Sequence, residues 1–205
     1  MSNYIDRLLE KSEHKKWEGK INRKVMVTTF IIGLIIVIGL SAFFFTQDTI
    51  DYTSNGQPKQ TSGFLIGSII SSVGFLILLL NFFSNYVVEY AITNKRVIIK
   101  SGLIGTDYKS IYFEQITQVI IDVGLIGKIF GTGNIKIDTG KTETYSSGGG
   151  RAGNAHIKTR TMHDILKDID NPYDIYKILQ PTITSRRESL YSGRADREAN
   201  PQYYK

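Results

Sequence analysis

Four cationic side chains, Lys95, Arg96, Lys100 and Lys109, gather around one predicted hairpin turn, a grouping able to hold an anionic head group. Lysines at solvated sheet edges also discourage aggregation, and Arg96 stands inside a strand pattern, so a structural role competes with a binding one. Gly148-Gly149-Gly150-Arg151-Ala152-Gly153 satisfies G-x-G-x-x-G. A dinucleotide site needs a strand before that motif and a helix after it. Ala155 to Thr161 reads instead as a strand, so a hairpin tip is expected. Asp138-Thr139-Gly140-Lys141-Thr142 resembles the end of a P-loop, but Ile135 stands where the first glycine belongs and no helix follows. His14, His156 and His163, the last beside Asp164, offer too few ligands for a zinc site. With no cysteine, disulfides, thiolate metal sites and cysteine nucleophiles are excluded. No catalytic, cofactor-binding or metal-binding constellation emerges, and neither a cofactor nor an enzymatic role is expected.

The elements that would carry these residues divide into an apolar half and a β-rich half. Val25 to Phe45 and Gly63 to Phe83 are each 21 residues long and lack Asp, Glu, Lys and Arg. At about 1.5 Å per residue each helix would extend roughly 30 Å, the hydrocarbon thickness of a bilayer. The pattern predicts transmembrane helices over 25–45 and 63–83. A cleaved signal peptide would have a shorter leader and a shorter apolar core than the 24 residues and 21 residues found here. Arg7, Lys11, Lys15, Lys16, Lys20, Arg23 and Lys24 precede the first helix, whereas the loop 46–62 holds only Lys59 beside Asp48 and Asp51. Basic flanks stay in the cytoplasm, which predicts a multi-pass cell-membrane protein with both termini cytoplasmic and an extracytoplasmic loop. The net charge of +6 is then explained by the membrane surface, and no nucleic-acid partner is expected.

Residues 1–24 place Tyr4, Ile5, Leu8 and Leu9 at helical spacing, with Trp17 among lysines. They read as an amphipathic cytoplasmic helix lying on the membrane or packed on a partner, with Trp17 as an interface anchor. In the second apolar block, Gly63, Gly67, Ser71 and Gly74 form a small-residue face able to pack closely. It serves either a hairpin with the first block, the favoured reading, or contact with another subunit. No ionisable group lies inside either block, which argues against transport by this chain alone.

From Asn85 the pattern shifts to short β-rich runs: Tyr86–Thr93, Arg96–Lys100, Tyr108–Phe113, Gln118–Val123, Asn134–Asp138, Thr142–Tyr145 and His156–Thr161. Asn171-Pro172 then opens one closing helix. After Pro181 the chain is polar, and residues 181–205 are expected to be disordered or held by a partner.

Tyr90-Ala91-Ile92-Thr93-Asn94-Lys95-Arg96-Val97-Ile98, then Gly102-Leu103-Ile104-Gly105, Ile116-Thr117-Gln118-Val119 and the Asn171-Pro172 helix resemble, after two apolar helices, the bacterial-type pleckstrin-homology (PH) domain membrane proteins. The resemblance covers residues 85–180 and the preceding hairpin. It implies an α+β membrane protein: a helical hairpin plus a PH-like β-barrel of about seven antiparallel strands capped by one C-terminal helix. In eukaryotic PH domains basic side chains near the first hairpin hold inositol phosphates, which would give Lys95, Arg96, Lys100 and Lys109 that role here. The expected function is a non-enzymatic membrane-anchored adaptor or accessory subunit, whose partners are membrane lipids and a membrane protein or a second copy of the chain. The alternative is an anionic-lipid-binding or envelope-stress module.

Overall fold

The computed structural model describes residues 3–147 and 156–199. It divides into two compact units, one of Met1–Asn22, Val88–Ser101 and Gly105–Lys205, the other of Arg23–Val87 with Gly102–Ile104.

The first unit is built on two antiparallel sheets. Strands β1 (Lys15–Lys20), β4 (Glu89–Thr93), β5 (Arg96–Ser101) and β6 (Asp107–Tyr112) form one sheet in the order β1-β4-β5-β6. Strands β7 (Gln118–Asp122), β8 (Thr132–Ser147) and β9 (His156–Asp170) form the other, in the order β7-β8-β9. Helix α5 (Pro172–Ala199) follows β9. Because the sheets are separate and retain edge strands, the expected barrel is not closed. Between the sheets lies a core centred on Tyr90, Ile92, Phe113, Ile135, Ile137 and Leu166, with Ile175, Leu179 and Ile183 contributed by α5 at a spacing of four. The Tyr90 hydroxyl accepts the Lys167 backbone N–H at 2.9 Å and so ties one sheet to the other. Burial is what pushes the Tyr90 phenol up to about 12.

Three sequence expectations are corrected. Residues 1–24 are not one amphipathic helix: α1 covers only Asn3–Asp6, and Lys15–Lys20 is strand β1, antiparallel to β4. The partner that covers the N-terminal apolar residues is the chain's own sheet. Ile5 is fully buried with Ala91 and Ile98, and Leu9 packs against the same cluster. All five residues of β4 are therefore buried, one face on the main core and the other under the N-terminal arm. Trp17 is likewise not an interface anchor, since it packs against the main core beside Gly19, where any Cβ would meet the indole. Finally, the described residues after Pro181 continue the helix, with Thr182 and Ile183 buried. Helix α5 runs through Pro181, although an interior proline costs about 3 kcal/mol, and the burial of Ile183 gives the longer helix its hold.

The runs Asn134–Asp138 and Thr142–Tyr145 are one strand. Strand β8 passes between them through a register shift in which Gly140 takes a φ of 70°, a bulge in place of a chain reversal. The G-x-G-x-x-G stretch 148–153 lies outside the described residues. Helix α4 (Leu125–Phe130) joins β7 to β8.

The second unit is a helical hairpin of α2 (Arg23–Phe45) and α3 (Gly63–Tyr86). Both helices are long and apolar enough to cross a membrane. Few of their residues are buried: Val25, Met26 and Ser41 in α2, and Gly63 and Gly67 in α3. A core helix of a soluble protein would hide such residues; here Ile35, Ile69 and Phe64 are exposed. The seam between the helices is regular. Phe30 meets Phe82, Gly33 lies under Leu78, Gly74 under Val37 and Gly67 against Phe45 and the Ser41 carbonyl. A Cβ added at Gly63 would overlap the Gln47 and Phe44 carbonyl oxygens. The connection 46–62 forms its own hairpin, β2 (Thr49–Ser54) and β3 (Gln57–Ser62), about an Asn55-Gly56 turn with φ of 55° and 74°. Asn-Gly suits such left-handed turn positions.

The place of Ile183 in the core is testable. Ile183→Ala should lower the stability of the full chain in detergent by about 2–4 kcal/mol. Thr184→Ala, one exposed position further on, should change it by less than about 0.5 kcal/mol. Thermal unfolding followed by circular dichroism distinguishes the two.

Candidate functional site

Of the four basic residues only Lys95 and Arg96 stand at the β4–β5 turn; the register puts Lys100 opposite Glu89 and Lys109 opposite Ile99, toward the other end of the sheet, and each of the four faces a carboxylate. Arg96 and Glu13 are the most enclosed pair, with the carboxylate side chain fully buried. Glu13 Oε1 accepts from Arg96 Nε at 3.0 Å and from the Thr93 hydroxyl at 2.8 Å. Its other oxygen accepts from an Arg96 terminal nitrogen at 2.9 Å and from the Glu10 backbone N–H at 3.2 Å. Arg96 also donates to the Leu8 carbonyl at 2.8 Å and lies over the Tyr112 ring. Burial alone would push the Glu13 carboxyl up; the hydrogen bonds from Arg96, Thr93 and the Glu10 amide outweigh it and hold the group below its ordinary value of 4.5. Arg96 is raised, chiefly by its hydrogen bonds to Glu13.

The rest of the turn serves the same purpose. Asn94 accepts the His14 N–H through its side-chain oxygen and donates to the Ser12 carbonyl. Lys95 bonds Glu10 at 2.6 Å and the Ser12 hydroxyl at 2.9 Å. Thr93 accepts the N–H groups of Lys95 and Arg96 and so shapes the turn. The Thr-Asn-Lys-Arg run thus clasps residues 8–14 of the N-terminal arm.

Lys100 pairs with Glu89, which Lys20 also holds at 2.6 Å, and Lys109 on β6 pairs with Asp164 on β9. The four residues read as a candidate anionic-lipid patch are therefore spent on the protein's own carboxylates. Glu10, Glu13 and Glu89 were missed as partners because up to 85 residues separate members of these pairs, and no local spacing signals such a contact.

Gly63, Gly67 and Gly74 of the candidate helix-packing face lie against α2 within the hairpin, and Ser71 belongs to the same helix. Of the histidines, His14 binds Asn94 through its backbone and His163 stands opposite Asp138 on β8. No group of three or more His, Asp or Glu side chains among the described residues is arranged to hold a metal ion.

The surface that sequence spacing did not reveal is a cleft of about 220 Å³ between β7 and α5. Residues 116–119 line one wall, and Tyr176, Gln180, Ile183, Thr184 and Arg187 line the other. Arg187 fixes the rim by donating to the Ile116 carbonyl at 2.9 Å, and Arg186 does so through Glu114 at 2.6 Å. Strand β7 is an edge, paired only with β8 among the described residues, so alternate backbone groups on its outer side have no strand partner. The cleft is smaller than the roughly 300 Å³ at which small-molecule pockets begin. It suits one or two side chains of a docked chain better than a whole cofactor.

The first unit is thus two antiparallel sheets packed about one core and followed by a C-terminal helix. A family model described as bacterial PH domain matches residues 25–171, and the chain belongs to that family. The matched stretch includes both apolar helices and ends just before α5; β1 lies ahead of it. No curated protein and no solved structure matches the chain.

The clasp has a signed pH dependence. Because the Glu13 carboxyl titrates lower in the folded state than in the open one, its contribution is fully present above about 4.5 and is lost as pH falls through the lower folded value. Glu13→Gln should weaken the arm's attachment at neutral pH by about 1.5–3 kcal/mol, the worth of hydrogen bonds to a charged group. Amide exchange at residues 10–16 reads this directly: faster in Glu13→Gln at pH 7, with the unaltered chain approaching the same opening only below about pH 4.5.

Proposed function

We propose that this chain is a non-catalytic adaptor, anchored in the cell membrane by α2 and α3, whose cytoplasmic PH domain docks a protein partner at the β7–α5 cleft. The observation that carries the reading is the pairing-competent outer edge of β7 beside that cleft. An extended segment of a partner adds to such an edge through main-chain hydrogen bonds, while alternate side chains enter the adjoining groove. Tyr176 offers apolar surface there, and Gln118, Gln180 and Arg187 supply polar contacts that set register.

Membrane anchoring is supported by two apolar helices with exposed apolar surfaces, and cytoplasmic termini by the basic residues that precede α2. The pairing of β1 with β4 adds a constraint, because strands on either side of the helical hairpin can share a sheet only when both lie on one side of a bilayer. Two crossings meet it. An anionic-lipid role for Lys95, Arg96, Lys100 and Lys109 has less support, since a head group would have to displace Glu10, Glu13, Glu89 and Asp164. A partner that is itself a membrane protein, or a second copy of this chain, fits a domain tethered so close to the bilayer.

Purification of the full chain from its own membranes in mild detergent should bring down a stoichiometric partner. Gln180→Trp, which fills the cleft from an exposed position, should release that partner, and Lys95→Ala combined with Lys109→Ala should retain it. A partner kept by Gln180→Trp and lost from the lysine variant would move the interaction to the basic residues of the β4-β5-β6 face and overturn the proposal. So would a chain that purifies alone.

A further inference from the structure

We infer that the end of the PH domain nearest its two tethers is itself a lipid-contacting surface, which places Leu125, Ile129 and Ile104 in the interfacial layer of the bilayer. The inference rests on the membrane-anchored reading above and concerns residues outside both the cleft and the basic cluster.

Leu125 and Ile129 are 82% and 77% exposed, and Ile104 is exposed completely. Leu125 and Ile129 stand four apart on α4, hence on one face of that helix. Single exposed aliphatics are ordinary on a protein surface. What distinguishes these is their common location in the fold.

Strand register fixes that location. Lys20, the last residue of β1, pairs with Glu89, the first of β4, so the two chain ends that lead to α2 and α3 leave the sheet side by side. Glu89 also pairs with Lys100, and Ser101 with Asp107, which puts the 102–106 turn carrying Ile104 at that same end. In the second sheet, the Asn22 N–H donates to the Asp168 carbonyl at 2.8 Å, bringing the end of β9 to the residue just before α2. Asp170 pairs with Thr132, so the start of β8, and α4 ending two residues before it, share this end too.

Only Ile21 and Asn22 separate β1 from α2, and only Val87 and Val88 separate α3 from β4. Two residues of extended chain reach roughly 7 Å, within the about 5–10 Å over which interfacial apolar faces sink into the head-group and acyl boundary. Aliphatic side chains held at that height are removed from water by the acyl boundary, whereas elsewhere on the domain they would remain hydrated. Lys128, between Leu125 and Ile129 in sequence, supplies a cation to the phosphate level in the manner of interfacial lysines. The contact is apolar and does not select a head group, so it should form on zwitterionic phosphatidylcholine as well as on anionic lipid.

The absence of native cysteine makes the test direct. Leu125→Cys, Ile129→Cys and Ile104→Cys are each labelled with a polarity-sensitive fluorophore and reconstituted as the full chain into phosphatidylcholine vesicles with or without brominated acyl chains. Lys141→Cys, exposed beside the Gly140 bulge of β8 and away from its Thr132 start, serves as the water reference, and Ile35→Cys on the exposed face of α2 as the lipid reference. The expected result is loss of emission in brominated vesicles at positions 125, 129, 104 and 35, with none at 141. Quenching at 35 without quenching at 125 and 129 overturns the inference and leaves the spans standing. Absence of quenching at 35 as well removes the membrane reading and this inference together. Equal quenching at 141 also overturns it, because the domain then lies on lipid without a preferred end.

Discussion

The antiparallel pairing of β1 with β4 is the contact on which the rest depends. Lys15–Lys20 and Glu89–Thr93 stand on either side of two long apolar helices in sequence, yet they are neighbours in one sheet. That pairing makes the N-terminal arm a structural part of the PH domain and gives β4 a neighbour on both edges. In a membrane-anchored chain it also requires an even number of crossings between the strands. The Glu13–Arg96 pair holds the arm's entry to β1, and Glu89, gripped by Lys20 and Lys100, holds its exit. Burying such charges costs desolvation that Coulomb attraction alone seldom repays. Here each Glu13 oxygen accepts two hydrogen bonds, so the burial is compensated and the geometry is fixed.

The chemistry of the Tyr90–Arg96 motif follows from this role. Tyr90 joins the two sheets, Thr93 shapes the turn, Asn94 and Lys95 hold the arm's backbone and side chains, and Arg96 neutralises Glu13. A motif that looks like a cationic binding loop is largely used up in holding the domain together. Binding capacity must then be sought where backbone or apolar surface is left without a partner. Among the described residues the outer edge of β7, which has no strand partner, meets that description.

The apolar helices and most of the strands were legible because their signals are local. Uninterrupted apolar blocks mark α2 and α3, β-branched runs bounded by glycine mark β5 through β8, and Pro172 marks the start of α5. The misreadings have nonlocal causes. Lys15–Lys20 has no apolar alternation of its own and becomes a strand because β4 is there to pair with it. Pro181 is a strong stop signal, and only the core contact of Ile183 beyond it shows why the helix continues. Gly140 marks a bulge as readily as a turn, and a sequence alone does not separate them. The same holds for the candidate site: cations are visible in sequence, but the carboxylates that occupy them lie in other elements.

Same-sidedness of the two strand-bearing segments is the claim most open to direct measurement. Lys11→Cys and Thr184→Cys report on the arm and on α5, and Lys59→Cys on the β2–β3 hairpin, each in a chain with no other cysteine. Reaction with a membrane-impermeant maleimide should modify positions 11 and 184 together in inverted membrane vesicles and position 59 only in right-side-out ones. Modification of positions 11 and 184 from opposite sides would contradict the β1–β4 pairing and the account built on it.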